Sequence, residues 1–442
     1  MSSVGLVSLG CPKNQVDSEI MIGLVEEAGL ELVDDYEEAE VLIVNTCGFI
    51  GDAKEESIEA ILQLAKYKED NCEVLIVTGC LTQRYPEELK EEIPEIDAIL
   101  GTGNFDEIVE VINEGLDGRN KFEVTDPNFD YQKELPRKRL DVGYTTYVKI
   151  AEGCNNRCSY CVIPKLRGDL RSRKIDNIVK EVKGLAKQGV KEVNIIAQDI
   201  TKYGIDLYGE SKLVELLKEL VKIEDVKWFR LLYAYPNDFS DELIEMIAKH
   251  ERICNYIDLP IQHADDRIRE EMDRRGTKEE ILTLISKLRD RIPKMTIRTS
   301  LIVGFPGETE KEFKNLLDFV QEAQFDRLGT FKYSQEEGTL AAKMPNQVEE
   351  DVKEERYERV MELQKEIALE RNQAWIGEEV DVLVEEIQKE AGETLVIGRT
   401  ERDAPEIDGF IYIKDVDAKS GDLIKVQVTD AYEYDLIGEK LE

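Results

Sequence analysis

Histidine is almost absent: His250 and His263 are the only two among 442 residues, so a metal site built on imidazoles has little to draw on. No apolar run is long enough to cross a bilayer, and the longest, such as VLIVNTCGFI, are strand-sized. The start, MSSVGLVSLG, lacks a basic region with a cleavage site, so no signal peptide, no membrane partner and a cytoplasmic address are expected. In a reducing compartment the eight cysteines read as metal ligands or core residues rather than disulfides. Positive charge is scarce too, with 58 Lys and Arg against 95 Asp and Glu, a net of −37. Such a surface repels long polyanions unless a basic patch compensates and suits a basic protein partner, although solubility or salt adaptation accounts for it equally well. No repeat of solenoid period and no low-complexity tract is present.

What is there is organised in blocks. In residues 1–125 the apolar runs VGLVSLG, EVLIVNT and EVLIVTG read as strands buried on both faces, and the segments between them have helical periodicity. That alternation implies a parallel α/β sheet. Residues 126–140, DPNFDYQKELPRKRL, read as a linker. Between 141 and 347 six strand-like units follow: TYVKIAEG, EVNIIAQD, WFRLLYAYP, YIDLPIQHA, TIRTSLIVGFPGE and RLGTFKYSQEEG. They suggest a full or partial (βα) barrel with its site at the carboxyl ends of the strands. Residues 348–375 form a charged amphipathic helix, and 376–442 switch to period two, as in a small all-β barrel of about five strands.

Six of the cysteines fall into two sets of three. Cys154, Cys158 and Cys161 stand in AEGCNNRCSYCVIPKLRGD with C-x3-C-x2-C spacing and no fourth ligand beside them. Structural zinc wants four tight ligands, whereas a four-iron cluster tolerates one iron without a protein ligand. The cluster therefore explains the missing ligand, while zinc must import one. Cys11, Cys47 and Cys80 each follow one of the three N-terminal strands, 36 and 33 positions apart. In a parallel sheet those strand ends share one edge, where cofactors bind, and glycines at 10, 48 and 79 permit close backbone approach. Any one of these cysteines alone would pass for a core residue. Cys72 reads as incidental and Cys254 as core.

With Tyr160 before its last cysteine, the first set resembles the signature of radical S-adenosylmethionine enzymes. The resemblance implies that three cysteines hold a [4Fe-4S] cluster whose open iron binds the cofactor's amino and carboxylate groups. One-electron cleavage would then yield a 5′-deoxyadenosyl radical, the cofactor carrying the hard chemistry. The order of all three blocks resembles the methylthiotransferases: a domain whose three cysteines hold a second [4Fe-4S] cluster, a radical barrel and a C-terminal TRAM-type, OB-like β domain. The family uses S-adenosylmethionine twice, as methyl donor and as radical source, and needs an electron donor such as a flavodoxin or ferredoxin and a sulfur source. One branch modifies a tRNA adenosine and the other an aspartate of ribosomal protein S-twelve. RGDLRSR, AQDITKYG and RDAPEIDG resemble the ribosomal-protein branch. Charge agrees: residues 373–442 hold 19 acidic and 7 basic residues, unlike the basic groove of a nucleic-acid-binding barrel. Its aromatics Phe410, Tyr412, Tyr432 and Tyr434 read as core before platform. An iron–sulfur electron carrier or scaffold, and a zinc-dependent RNA-binding protein, remain readings of other classes.

Lesser candidates follow. Of the basic residues Arg167, Arg171, Arg173 and Lys174, one is expected to meet a carboxylate in the site and three to pair on the surface. Gly304 and Gly307 in VGFPGE would let backbone approach the cofactor. The family's glycine-rich motif for the cofactor's amino group aligns with Ala197, Gln198 and Asp199, a departure that leaves that contact open. His263 reads equally as a barrel-mouth residue and as a structural histidine.

Overall fold

The computed structural model describes residues 2–390 and 393–441, so residues 391–392 and the two termini of the expected blocks lie outside the description. The N-terminal block is a six-stranded, all-parallel sheet. Its centre is Ser3–Ser8, Val41–Thr46 and Val74–Gly79, the three expected runs. Three further strands, Glu31–Leu32, Ala98–Leu100 and Lys121–Glu123, were not expected, being too short to carry a period.

The second sheet has six parallel strands in the order Arg327–Lys332, Thr296–Val303, Ile253–Asp258, Trp228–Leu231, Glu192–Ile196 and Thr145–Lys149. It curls without closing, which makes it the partial barrel. Its faces differ. Val148, Val193, Ile195, Phe229, Leu231, Ile257 and Ile297 pack outward on the helices in one large apolar core. Alternate positions point inward and include Lys149, Glu192, Arg230, Tyr256 and Asp258, all buried.

The C-terminal block is a closed five-stranded barrel: Glu379–Glu390, Glu393–Thr400, Ile411–Lys414, Leu436–Lys440 and Leu423–Ala431. The helix Glu350–Gln373 leads into it. This small barrel stoppers the amino-terminal ends of the large one. Ala404 and Leu383 join Trp228, Cys254 and Tyr256 in one apolar cluster. Around them Glu192 sits between Arg230 (2.8 Å) and Arg399 (2.6 Å), and Arg327 holds Asp403 at 2.7 Å. RDAPEIDG is thus largely a seam element, although Ile407 at its turn is half exposed. The expectation that the four aromatics are core fails: Tyr432 and Tyr434 are exposed, since they lie in the turn between two strands.

Residues 126–140 form no helix or strand, but they are packed. Phe129 and Tyr131 are buried. Arg137 donates to Glu19, Glu181 and the Tyr147 carbonyl, stitching the N-terminal sheet domain to the barrel.

Candidate functional site

The carboxyl ends of the two parallel sheets face each other, and each set of cysteines sits at its own edge. Cys11 precedes the helix Pro12–Glu27, Cys47 follows Val41–Thr46, and Cys80 opens the short helix Cys80–Arg84. They converge. A Cβ on Gly10 would stand 2.7 Å from Cys47 Cβ, and one on Gly48 would stand 2.8 Å from the Cys80 carbonyl oxygen. Both positions are therefore closed to any side chain, and Gly10 also has φ +87°. Ser57 brackets Cys47, accepting from its N–H and donating to its C=O, each at 3.0 Å.

Opposite lies the loop of Cys154, Cys158 and Cys161, an excursion between the short antiparallel strands Ala151–Glu152 and Arg171–Ser172. All three thiols are half-buried. Asn156 pins the loop by donating to Asp199 at 2.8 Å and accepting from Lys202. Ser159 donates to the Glu271 carbonyl at 2.7 Å. Arg274 lies against it: Nη1 is 3.9 Å from Cys158 Sγ and 3.4 Å from the Tyr160 hydroxyl, and the guanidinium stacks 4.5 Å from the Tyr235 ring centroid. Among the described residues no carboxylate pairs with Arg274.

A polar seam joins the two edges. Arg167, six residues beyond Cys161, donates to Asp17 (2.5 Å), to Glu152 (3.2 Å), to Asn14 and to Cys80 Sγ (3.3 Å). One loop thus carries three cysteines and a cation that touches a cysteine of the other set. Lys149 pairs with Asp17 (2.5 Å) and Glu152 (2.8 Å) and donates to Tyr131. Burial would raise the Glu152 carboxyl, but Lys149 and Arg167 hold it far below the usual range. Burial pushes the Cys80 thiol up to about 12 against the pull of Arg167, and the Cys161 thiol also to about 12. A metal taken up by these thiols would therefore displace protons. Lys13 is buried as well, and burial brings its ammonium down to about 8 against the pull of Cys11, Glu152 and Asp258.

The remaining candidates separate. Arg167 is the one basic residue of the four drawn into the site. Arg171 caps main-chain carbonyls of Pro127, Phe129 and Arg167, Arg173 holds the Lys149 carbonyl and Glu181, and Lys174 is exposed. Arg171 and Arg173 are therefore half-buried braces, not the solvated pairs expected. Ala197 is core; Gln198 donates to Glu152; Asp199 caps Thr201 and anchors the cysteine loop through Asn156. Gly304 has φ +73° and no room for a Cβ beside Lys353, so its first demand is packing on the long helix. Gly307 lies next to Glu271 and Arg267. Tyr160 packs beside Phe305 and Tyr333. His263 is fully buried; its Nδ1 accepts from the Asp265 N–H at 3.0 Å, and Nε2 is 3.3 Å from Glu308, off the hydrogen-bond line. It is a structural histidine. Lys13, Asn14, Glu152 and Arg274 escaped the sequence reading, because isolated charged or polar residues carry no period or spacing.

Three family descriptions match in order: "Uncharacterized protein family UPF0004" over residues 3–101, the radical SAM superfamily over 148–320, and the TRAM domain over 376–440. The ribosomal protein uS12 methylthiotransferase RimO of Desulforamulus reducens is 54% identical over 442 residues, covering 99% of each chain. That of Clostridioides difficile is 50% identical over 443 residues, covering 100% of this chain and 99% of its own. The chain belongs to the uS12 methylthiotransferase family.

Among solved structures, the radical S-adenosylmethionine methyltransferase TsrM from Kitasatospora setae superposes with a TM-score of 0.56 at 16% identity, over 75% of this chain and 72% of its own. The cobalamin-dependent enzyme OxsB gives 0.52 at 12%, over 83% and 56%. These likenesses concern the fold. Radical S-adenosylmethionine membership implies that cofactor and a [4Fe-4S] cluster. The loop fits such a group: three half-buried thiols with an unpaired cation beside them suit an anionic, thiolate-bound centre.

Proposed function

We propose that this chain methylthiolates an aspartate of ribosomal protein uS12, exchanging a C–H hydrogen for SCH3, with the two cysteine sets each holding a [4Fe-4S] cluster. One observation carries this reading: two sets of three cysteines face each other across a shared polar seam, in a chain half identical to uS12 methylthiotransferases along its whole length. When bound, the clusters and S-adenosylmethionine supply radical formation, sulfur and methyl group.

The chain's own residues position and insulate. Cys154, Cys158 and Cys161 would hold the cofactor-binding cluster, and Asn156 and Ser159 keep their loop in place. Cys11, Cys47 and Cys80 would hold the second. Arg167, Lys149, Asp17 and Glu152 lock the two edges at one separation, as a reaction between two bound groups requires. No side chain has to act as a general base. Tyr160, the backbone of 197–199 and the turn at Gly304 and Gly307 are proposed to flank the cofactor. The acidic C-terminal barrel, with Tyr432 and Tyr434 exposed, is proposed to dock the basic ribosomal protein, free or on the small subunit. The turnover also needs an electron donor, such as a flavodoxin or ferredoxin, and a sulfur source.

The test is direct. Anaerobically reconstituted protein, reductant, S-adenosylmethionine and a sulfur source are offered uS12 and bulk tRNA in parallel, and both are read by mass spectrometry. One SCH3 gained for one hydrogen on a uS12 aspartate is the expected result. The same gain on adenosine alone would overturn the target, and neither product would overturn the reading.

A further inference from the structure

Of the buried cations along the seam, Lys149, Arg167 and Arg137 each hold a carboxylate. Lys13 does not. It is 8% exposed, yet among the described residues no carboxylate lies within ion-pair reach of it and no hydrogen-bond acceptor is within range. Its Nζ rests 3.1 Å from the ring centroid of Tyr233, across the seam on the large barrel. A ring face stabilises an ammonium less than an anion does. The position is unfavourable in a second way, since Lys13 lies in the first turn of Pro12–Glu27, whose positive dipole end repels cations.

The nearby acids are already engaged. Glu152 receives Lys149, Arg167 and Gln198. Asp258 receives Arg298 (2.8 Å) and the Tyr233 N–H (3.0 Å). Tyr233 itself is fixed in a left-handed conformation, φ 64°, with its carbonyl accepting from Ile200. A rigid ring thus presents a buried lysine's ammonium two residues from Cys11, where the N-terminal sheet domain meets the large barrel. An anion reaching that ammonium would complete it.

We propose that Lys13 receives the side-chain carboxylate of the target aspartate and so selects an acidic substrate residue. The inference rests on the function proposed above. In aspartate the only side-chain carbon bearing hydrogen is Cβ, one bond from the carboxyl carbon, so a cation that anchors the carboxylate also places the reacting C–H. Lys13 is here a specificity and positioning residue and takes no part in proton or electron transfer.

The experiment uses anaerobically reconstituted full-length protein, uS12, and uS12 whose target aspartate is changed to asparagine. Binding of both is measured for the wild type, Lys13→Met and Lys13→Arg, with iron content and cluster spectra recorded for each. A charge-assisted contact in a desolvated site predicts that the wild type prefers aspartate by about tenfold to a hundredfold. Lys13→Met should bring the two affinities together at unchanged iron content, and Lys13→Arg should retain part of the preference. Full preference in Lys13→Met would overturn the proposal. So would an altered spectrum of the second cluster with preference intact, which would make Lys13 a counter-charge for that cluster. Equal affinities in the wild type overturn it whether or not the variants fold. If wild-type protein binds neither form of uS12, the functional reading itself fails, and this inference with it.

Discussion

Changing Glu192 to glutamine keeps the shape of the side chain and deletes the one negative charge shared by Arg230 and Arg399. Oε1 lies 2.8 Å from Arg230 and Oε2 2.6 Å from Arg399, with all three side chains fully buried. Arg399 keeps Glu385 at 2.6 Å, whereas Arg230 is left with the carbonyls of Glu401 and Thr400. Removing one partner of a buried pair costs about 3–5 kcal/mol. A second route gives a similar figure. Burial raises the Glu192 carboxyl, but Arg399 and Arg230 overcome that and hold it at about 2 instead of 4.5. A displacement of that size corresponds to roughly 3 kcal/mol. Because the folded value lies below the unfolded one, this stabilisation is complete above the unfolded value and fades as pH falls toward about 2. The two tryptophans report on this seam: Trp228 is the cross-strand partner of Glu192, and Trp375 stacks on Arg402. Anaerobic urea unfolding followed by tryptophan emission should show the variant weaker by about 3–5 kcal/mol at neutral pH, the gap narrowing in acid as wild-type Glu192 protonates. A neutral-pH gap below about 1 kcal/mol, or one that does not narrow in acid, would refute the reasoning.

Cys158→Ala should abolish cleavage of S-adenosylmethionine, while Cys47→Ala should leave cleavage and stop sulfur insertion; methylthiolated product from Cys47→Ala would defeat the second-cluster assignment. Gly10→Ala, with no space between its Cβ and Cys47, should lower reconstituted iron from about eight atoms per chain toward about four, read by metal analysis. Arg274→Gln removes a cation beside Cys158 that no carboxylate among the described residues pairs with, and should move the midpoint potential of the cluster proposed there to more negative values in an EPR redox titration; an unmoved potential would show that Arg274 only packs.

The three blocks were legible in the sequence because each is written in local periods. Val41–Thr46 and Val74–Gly79 are continuous apolar runs, the six barrel strands recur with helices between them, and the last block alternates in twos. The cysteine spacing 154–161 and the strand-end placement of Cys11, Cys47 and Cys80 were legible for the same reason, since parallel topology dictates where strand ends go. Gly304 shows the limit: a glycine in a turn after a strand is visible, but its crowding against Lys353, nearly fifty residues on, is not.

The sequence alone thus determined the long elements and their order, the two thiol sets and the acidic surface, but not the three short strands of the first sheet. Only the tertiary structure decided that Arg167 reaches across to Cys80, that RDAPEIDG stoppers the large barrel, that Arg274 stands beside Cys158, and that Lys13 is buried with no acid paired to it among the described residues. The physical reason is range. Helical and strand periods are set by neighbours two to four positions apart, whereas these charges meet partners tens to hundreds of positions away, and in the sequence each looks like one more solvated charge on an acidic protein.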